Sequence, residues 1–283
     1  MASTVHEIDC ELNYDVLEPS TFVFNIEAVD NADQRIVEET LTTLPPLALV
    51  RQNDVFGNRL LKLAALAGPL SVRYQAVAEV QNRARPWSLP EVDVKELPLG
   101  VMRFVLASRY CESDLLFDDA MSWIGAERRG YGRVQQICEW VRANIEYRVG
   151  TSLPQGTARD VLRTHTGVCR DYAHVAIALC RALSIPARFV TGHVEWDTPP
   201  TDFHALFEAW LGGQWVLFDP TEMADTNDVI RIGTGRDAAD VAFATIFGRA
   251  IMQRMNPDVR RGHTADERAS RLREQKPGSI ASS

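Results

Sequence analysis

Residues 167–188 read GVCRDYAHVAIALCRALSIPAR. From near Val168 to about Leu183 the apolar residues Tyr172, Ala173, Val175, Ala176, Ile177, Leu179, Cys180 and Leu183 cover most of the circumference of one helix. A helix that is apolar nearly all round lies inside a domain core, and Ser184-Ile185-Pro186 ends it. This helix opens on a cysteine, Cys169. First-turn N–H groups lack a partner within the helix and carry partial positive charge, so an anionic sulfur is favoured there. Gly167, just before, lets backbone or a substrate come close. Cysteine alone is more often a small buried hydrophobe, and Cys180, in mid-helix among apolar residues, reads that way.

Downstream, three strands are expected at about Ala187–Val194, Phe203–Leu211 and Gln214–Phe218. Gly212-Gly213 between the last two is a two-residue hairpin signal. With that loop, Asp219 faces Leu206, and His204 shares a face with Leu206. Asp219 is then the diagonal neighbour of His204, roughly 7–8 Å away between backbones and within reach of side chains. A thiolate needs a base or cation, usually a histidine. His165, His174, His193 and His204 are the nearby candidates; His174 lies five positions along the same helix and faces elsewhere. An aspartate beside His204 could hold its ring in one tautomer. Taken alone the pair would read as a surface His–Asp contact. With Cys169, a nucleophile, a base and an orienting acid are all present. Trp210 and Trp215 would face each other across the hairpin. Trp196, in the loop from Glu195 to Asp202, could cap a cleft beside His204 and touch substrate.

Upstream, Val134, Ile137, Cys138, Val141 and Ile145 fall at helical spacing, which predicts an amphipathic helix over 132–145. A further helix is expected over Thr157–Arg163, with Thr157 as its N-cap. The front of the chain changes period. His6–Tyr14, Phe22–Val29 and Ser71–Val80 alternate apolar and polar residues, the mark of half-buried, antiparallel strands. Pro86, Pro90 and Pro98 form a stiff stretch. The expected organisation is a sandwich-like antiparallel β domain over 1–90, an α+β core of helices on an antiparallel sheet over 91–252, and a polar, mobile tail over 253–283 that carries at most a marginal helix from Ala265 to Glu274.

The 283 residues are 46% hydrophobic and carry a formal net charge of −8. That excludes wholesale disorder and disfavours nucleic-acid binding, which needs a basic face; Arg128-Arg129 and Arg260-Arg261 read as solvated surface. No run reaches the ~18 apolar residues of a membrane span. The first ten residues have no basic start followed by an apolar stretch, so no signal peptide is expected. Five cysteines, in a chain too long to need a disulfide framework, point to reduced thiols and a cytoplasmic location.

These residues carry a resemblance. Gly167-Val168-Cys169-Arg170-Asp171-Tyr172-Ala173-His174 is followed by Cys180-Arg181-Ala182-Leu183-Ser184-Ile185-Pro186-Ala187-Arg188, then His204-Ala205-Leu206, then Trp215-Val216-Leu217-Phe218-Asp219-Pro220-Thr221. The series resembles the core of the transglutaminase-like superfamily in its bacterial branch. Trp140-Val141 and Ile145-Glu146-Tyr147 resemble that family's helix before the nucleophile. Gly235-Arg236-Asp237 with Asp240-Val241 resembles a downstream strand. Asp54-Val55-Phe56-Gly57-Asn58 resembles part of the branch's N-terminal domain. The resemblance spans about residues 8–248.

It implies a papain-like core with Cys169 as nucleophile, His204 as base and Asp219 as orienter, and no metal or organic cofactor. It gives Gly167 and Asp171 structural roles near the site. Leu206 stands where the family has Trp, and Ala238-Ala239 where it has Tyr-Ala, which implies a cleft lined differently, with Leu206 and Trp196 as the candidate substrate contacts. The expected reaction is acyl transfer on a carboxamide or peptide bond through a thioester, ending in hydrolysis more readily than in cross-linking to an amine. The expected partner is a peptide or protein substrate. A catalytically idle binding module with this fold is the alternative. A metal site from Cys169, His174, His204 and Asp219 is disfavoured, because no CxxC or HExxH spacing occurs.

Overall fold

The alternation in the front of the chain folds as a β-sandwich. The computed structural model describes residues 3–82, 88–196 and 201–262. Antiparallel strands come first: β1 (Ser3–Val16), β2 (Ser20–Phe24), β3 (Gln34–Leu44), β4 (Val50–Asn53), β5 (Arg59–Ala65) and β6 (Gly68–Gln81). They form two sheets, β1-β6-β3 and β2-β5-β4. Ile8, Cys10, Leu12 and Tyr14 of β1 and Val72, Tyr74, Ala76 and Ala78 of β6 meet Phe22 and Phe24 of β2 and Leu61 and Leu63 of β5 in one buried cluster. Burying one such Leu or Phe contributes about 1.5–3 kcal/mol, so this alternation pins the register of every strand. The pattern over 22–29 is only half strand. Beyond Phe24 the main chain turns to other partners: the Asn25 N–H bonds the Phe243 carbonyl at 3.0 Å, and the Val29 N–H bonds the Arg231 carbonyl at 3.1 Å.

The second unit begins after residue 87. It comprises α1 (Leu99–Met102), α2 (Phe117–Ile124), α3 (Tyr131–Asn144), β7 (Glu146–Tyr147), α4 (Ala158–Thr164), β8 (Thr166–Gly167), α5 (Cys169–Ala182), β9 (Ala187–His193), β10 (His204–Leu211), β11 (Gln214–Phe218) and β12 (Ile230–Gly235). Its antiparallel sheet runs β11-β10-β9-β12. Every residue of α5 from Asp171 to Ala182 is buried, as its all-round apolar pattern requires, and the helix packs on β10 and β9. α4 starts on a capping box, with Thr157 and Asp160 satisfying each other's backbone N–H. In the hairpin, Gly212 and Gly213 both have positive φ, 55° and 84°, the conformation such tight turns need. The turn sets Leu211 opposite Gln214 and Trp210 opposite Trp215, with the indole rings edge-on at 5.2 Å.

The chain then returns to the sandwich. β13 (Ala244–Phe247) pairs with β2, and β14 (Ala250–Arg261) pairs with β1. This corrects the expected tail over 253–283 and the expected end of the core at 252. The segment is polar, yet its backbone completes the open edge of β1, while Pro257 and Val259 turn inward. Composition misses such a strand because main-chain hydrogen bonds hold it. The rest of the expected tail, including Ala265–Glu274, lies outside the described residues, as does Pro86.

Side-chain amides clamp the two units together. Asn58 gives Nδ2–H to the Thr234 carbonyl at 2.9 Å and takes the Thr234 N–H on Oδ1 at 2.7 Å. Gln34 does the same for Arg231, at 2.9 and 2.7 Å. Both imitate a neighbouring strand along β12. Asp54 holds Asn58 in place through Oδ2 at 2.9 Å, which gives the Asp54–Asn58 turn its structural purpose. Among the described residues no helix is long and apolar enough to cross a membrane.

Candidate active site

Cys169 is the first residue of α5 and remains partly exposed at the helix start. Asp171 shapes that start: its Oδ2 accepts the Val168 N–H at 3.0 Å, and its Oδ1 takes the Arg170 guanidinium at 3.2 Å. Asp171 is buried, so it acts on the backbone and not on substrate. Gly167 makes room for it. A Cβ at 167 would lie 2.7 Å from the Asp171 Cβ, closer than carbon atoms pack. Gly167→Ala is therefore expected to lower stability by about 1–3 kcal/mol through overpacking, readable as a lower midpoint in urea. Slower alkylation of Cys169 should accompany it, because the first turn shifts.

His204 opens β10 and is fully buried. Its Nε2 bonds Asp219 Oδ2 at 2.9 Å. Its Nδ1 is buried without a closed hydrogen bond and is the ring nitrogen left for the thiol. Burial works against a charged ring here, but the Asp219 hydrogen bond and the Cys169 side chain outweigh it and raise the His204 pKa to about 9. Asp219 lies just past β11, as the hairpin register requires. Burial pushes its carboxyl up, but the net shift is downward, because His204, the Thr221 hydroxyl and the Ala224 N–H all donate to the carboxylate. Thr221 gives Oδ1 both its N–H at 2.8 Å and its hydroxyl at 2.7 Å, and Ala224 N–H meets Oδ2 at 2.9 Å. The turn after Pro220 thus fixes the carboxylate, and the carboxylate fixes the imidazole.

The other histidines lie elsewhere. His174 is buried between Tyr110 and Phe189, and its Nε2 accepts the Ala238 N–H at 3.2 Å. Burial holds its pKa well below the usual value. His193 is buried too and joins the units through Ile26, with burial lowering its pKa to about 4. His165 ends α4 with a left-handed backbone, φ 54°.

Of the two expected substrate contacts, Trp196 stands edge-on to the His204 ring, with centroids 5.4 Å apart and planes at 89°. Leu206 is corrected: it is 0% exposed, sealed among Val190, Val194 and Val229 with Trp196 beside them. It supports the floor beneath His204 and is shut off from a substrate.

Sequence reasoning missed Tyr147 as part of the site. Ile145-Glu146-Tyr147 read as helix, but α3 stops at Asn144, and Glu146–Tyr147 pairs in parallel with Thr166–Gly167. That pairing carries the Tyr147 phenol to the backbone N–H and sulfur of Cys169. Burial and the sulfur push the phenol's pKa up. The missed signal is one aromatic residue in a two-residue strand, too short for any period to show. A separate groove of about 480 Å³ opens behind Asp219, between β11, α3 and the sandwich; neither Cys169 nor His204 lines it.

Comparison with known proteins identifies the family of both units. Residues 120–220 match the transglutaminase-like superfamily core, and residues 5–98 match the bacterial transglutaminase N-terminal domain. A protein of Cytophaga hutchinsonii, described with its crystal structure as a candidate cysteine protease, is 37% identical with a TM-score of 0.89, over 93% of this chain and 92% of that one. An uncharacterised protein of Mycobacterium leprae is 36% identical over 117 residues, 38% of this chain and 42% of that one. One from Mycobacterium tuberculosis H37Rv is 30% identical over 123 residues, 38% of this chain and 39% of that one. The alignments thus span about two fifths of each mycobacterial relative.

Proposed function

The chain belongs to the transglutaminase-like superfamily, and from that premise we propose that it is a thiol enzyme that hydrolyses amide or peptide bonds in peptide or protein substrates through a thioester. What supports this reading is one arrangement: an imidazole bonded to a buried carboxylate at 2.9 Å, beside a cysteine at a helix N-terminus.

The steps follow from that arrangement. The Cys169 sulfur, its proton held by His204, attacks the amide carbon and forms the C–S bond. Negative charge collects on the carbonyl oxygen, beside the Cys169 N–H at the start of α5. His204, as imidazolium, gives its proton to the amide nitrogen, and the C–N bond breaks. Water then attacks the thioester and passes a proton to His204. The C–S bond breaks and leaves a carboxylic acid and the free thiol. Asp219 keeps the ring oriented throughout. Attack by an amine in place of water would give cross-linking instead. Hydrolysis is preferred here because the relative matching nearly the whole chain is described as a candidate cysteine protease. A nucleophilic thiol must stay reduced, which suits a cytoplasmic setting, and the described cysteines are all free.

The test is incubation with a proteome-derived peptide mixture in ¹⁸O water, with and without an added primary amine. Expected are new C-termini carrying ¹⁸O that vanish with Cys169→Ala. Amine incorporation without ¹⁸O would sink the hydrolytic reading, and turnover that survives Cys169→Ala would sink the thiol mechanism. Alkylation of each cysteine against pH supplies a second check. Cys169 alone should react fast below pH 7, while the buried Cys10, Cys111, Cys138 and Cys180 lag.

A further inference from the structure

The buried cluster of the sandwich takes in residues of the other unit. Phe203, Ile230 and Ile232 lie in it together with Phe24, Ile26 and Leu61. Phe203 directly precedes His204 and is 6% exposed. Its ring stacks on Phe243 at 5.2 Å and tilts against His193 at 5.4 Å. The sandwich grips His193 in turn: its Nε2 donates to the Ile26 carbonyl at 2.9 Å, and its ring stacks on Tyr74 of β6 at 6.2 Å. Phe243 is tied in as well, through the bond of its carbonyl to the Asn25 N–H. Neighbouring residues of an extended chain point to opposite sides. Here Phe203 points into the sandwich, and His204 points to Asp219. The ladder of β10 with β9 begins at His204, opposite Gly192, but its ladder with β11 begins only at Phe207, opposite Phe218. The main chain that carries the imidazole is therefore laddered on the β9 side, at a strand end, where local opening is easiest. A buried ring one residue away removes that freedom.

The contacts that fix His204 thus come from both units. Resting on the role given to His204 above, we infer that Phe203 is a positioning residue for the reaction, which holds the imidazole in line with Cys169 by anchoring the start of β10 in the sandwich core. The sandwich is then a working part of the active site. Phe203 is buried away from the cleft and acts through the main chain of His204. Loss of its ring lets the start of β10 shift, and a displacement of about 1 Å at a catalytic group costs on the order of 100-fold in rate. The expected loss for Phe203→Ala is roughly 10–100-fold in kcat, with KM little changed, because the ring faces the sandwich and not the substrate.

The test compares Phe203→Ala, Phe203→Leu and, on the sandwich side, Phe243→Ala with the control Leu63→Ala, at a temperature where each is folded. Leu63 is buried in the same cluster but pairs with Phe22, four residues back along the chain from Ile26. Melting temperatures give the cost of each substitution to the fold. The readout independent of turnover is alkylation of Cys169, followed by peptide mass spectrometry, as the ratio of the rate at about pH 6 to the rate at about pH 10. At the lower pH the thiolate depends on His204; at the higher pH it does not. The ratio should fall at least about tenfold in Phe203→Ala, less in Phe203→Leu and Phe243→Ala, and stay at the wild-type value in Leu63→Ala. A wild-type ratio in folded Phe203→Ala overturns the proposal, and so does an equal fall in Leu63→Ala. Should Phe203→Ala not fold, Phe203→Leu decides on the same two outcomes. In peptide digestion kcat should fall with the ratio while KM holds; a rise in KM at unchanged kcat also overturns the proposal. A ratio that falls in Phe203→Ala, in a protein that cleaves no amide, would speak against the hydrolytic reading alone, and the positioning of His204 would stand.

Discussion

Replacing His204 by alanine is expected to lower kcat/KM for peptide hydrolysis at least about 10⁴-fold, with Cys169 alkylation below pH 7 slowing alongside. In the proposed mechanism His204 accepts the thiol proton and donates to the leaving nitrogen, and among the described residues no other histidine is bonded to an acid near Cys169. His174 and His193 are engaged elsewhere, and burial keeps both neutral. The substitution also opens a small buried space next to Trp196, so melting temperature should be measured beside activity. His204→Gln fills more of that space and still cannot move the proton. If either variant keeps more than about a tenth of wild-type turnover while folded, His204 is not the base.

The second large effect is expected from Asp219→Asn, about a 10³–10⁴-fold loss in kcat, with the alkaline limb of the pH profile displaced downward. The amide has one oxygen to offer. If Thr221 takes it, the amide N–H₂ faces His204 Nε2, and that nitrogen must become an acceptor. The remaining proton then sits on Nδ1, aimed at the thiol it should receive from. The pH effect has a definite sign. The His204 pKa stands at about 9, above the ordinary 6.5. The imidazolium is therefore retained through neutrality and lost as pH rises through about 9. Its contribution to stability is complete below about 6.5 and disappears over the same rise. Without the carboxylate, burial of the ring is opposed far less, and the limb should move down by more than about one unit. Asp219, with its pKa held low, contributes stability at neutral pH that is lost as acid protonates it. An unmoved alkaline limb in Asp219→Asn would show that the limb reports another group.

How much of this was legible beforehand depends on the range of the forces involved. α5 could be read because burial all round a helix leaves its mark in consecutive residues. The His204–Asp219 pairing could be read because two glycines with positive φ dictate a tight turn, and the turn dictates the register. Leu206 was misplaced because β10 is buried on both faces. There alternation separates one side of the sheet from the other but not cleft from core. Tyr147 escaped notice because its position comes from a backbone pairing between segments about twenty residues apart. β14 escaped because its side chains carry little of its stability. The mimicry by Asn58 and Gln34 of a strand beside β12 was out of reach for the same reason: a single amide has no period.

The pairing of β1 with β14 has a consequence for how the protein is made. Residues 6–16 find their partners at 250–261, so the catalytic unit is threaded between the opening and closing strands of the other unit. During synthesis the first sheet waits with one edge bare until residues 250–261 have left the ribosome. A message broken anywhere in between yields a chain whose sandwich cannot close, and an uncovered strand edge invites association with other chains. Completion of the front half thus acts as a proofreading step on the back half, and a nascent chain holding its reactive cysteine has no finished sandwich until translation has passed the last strand.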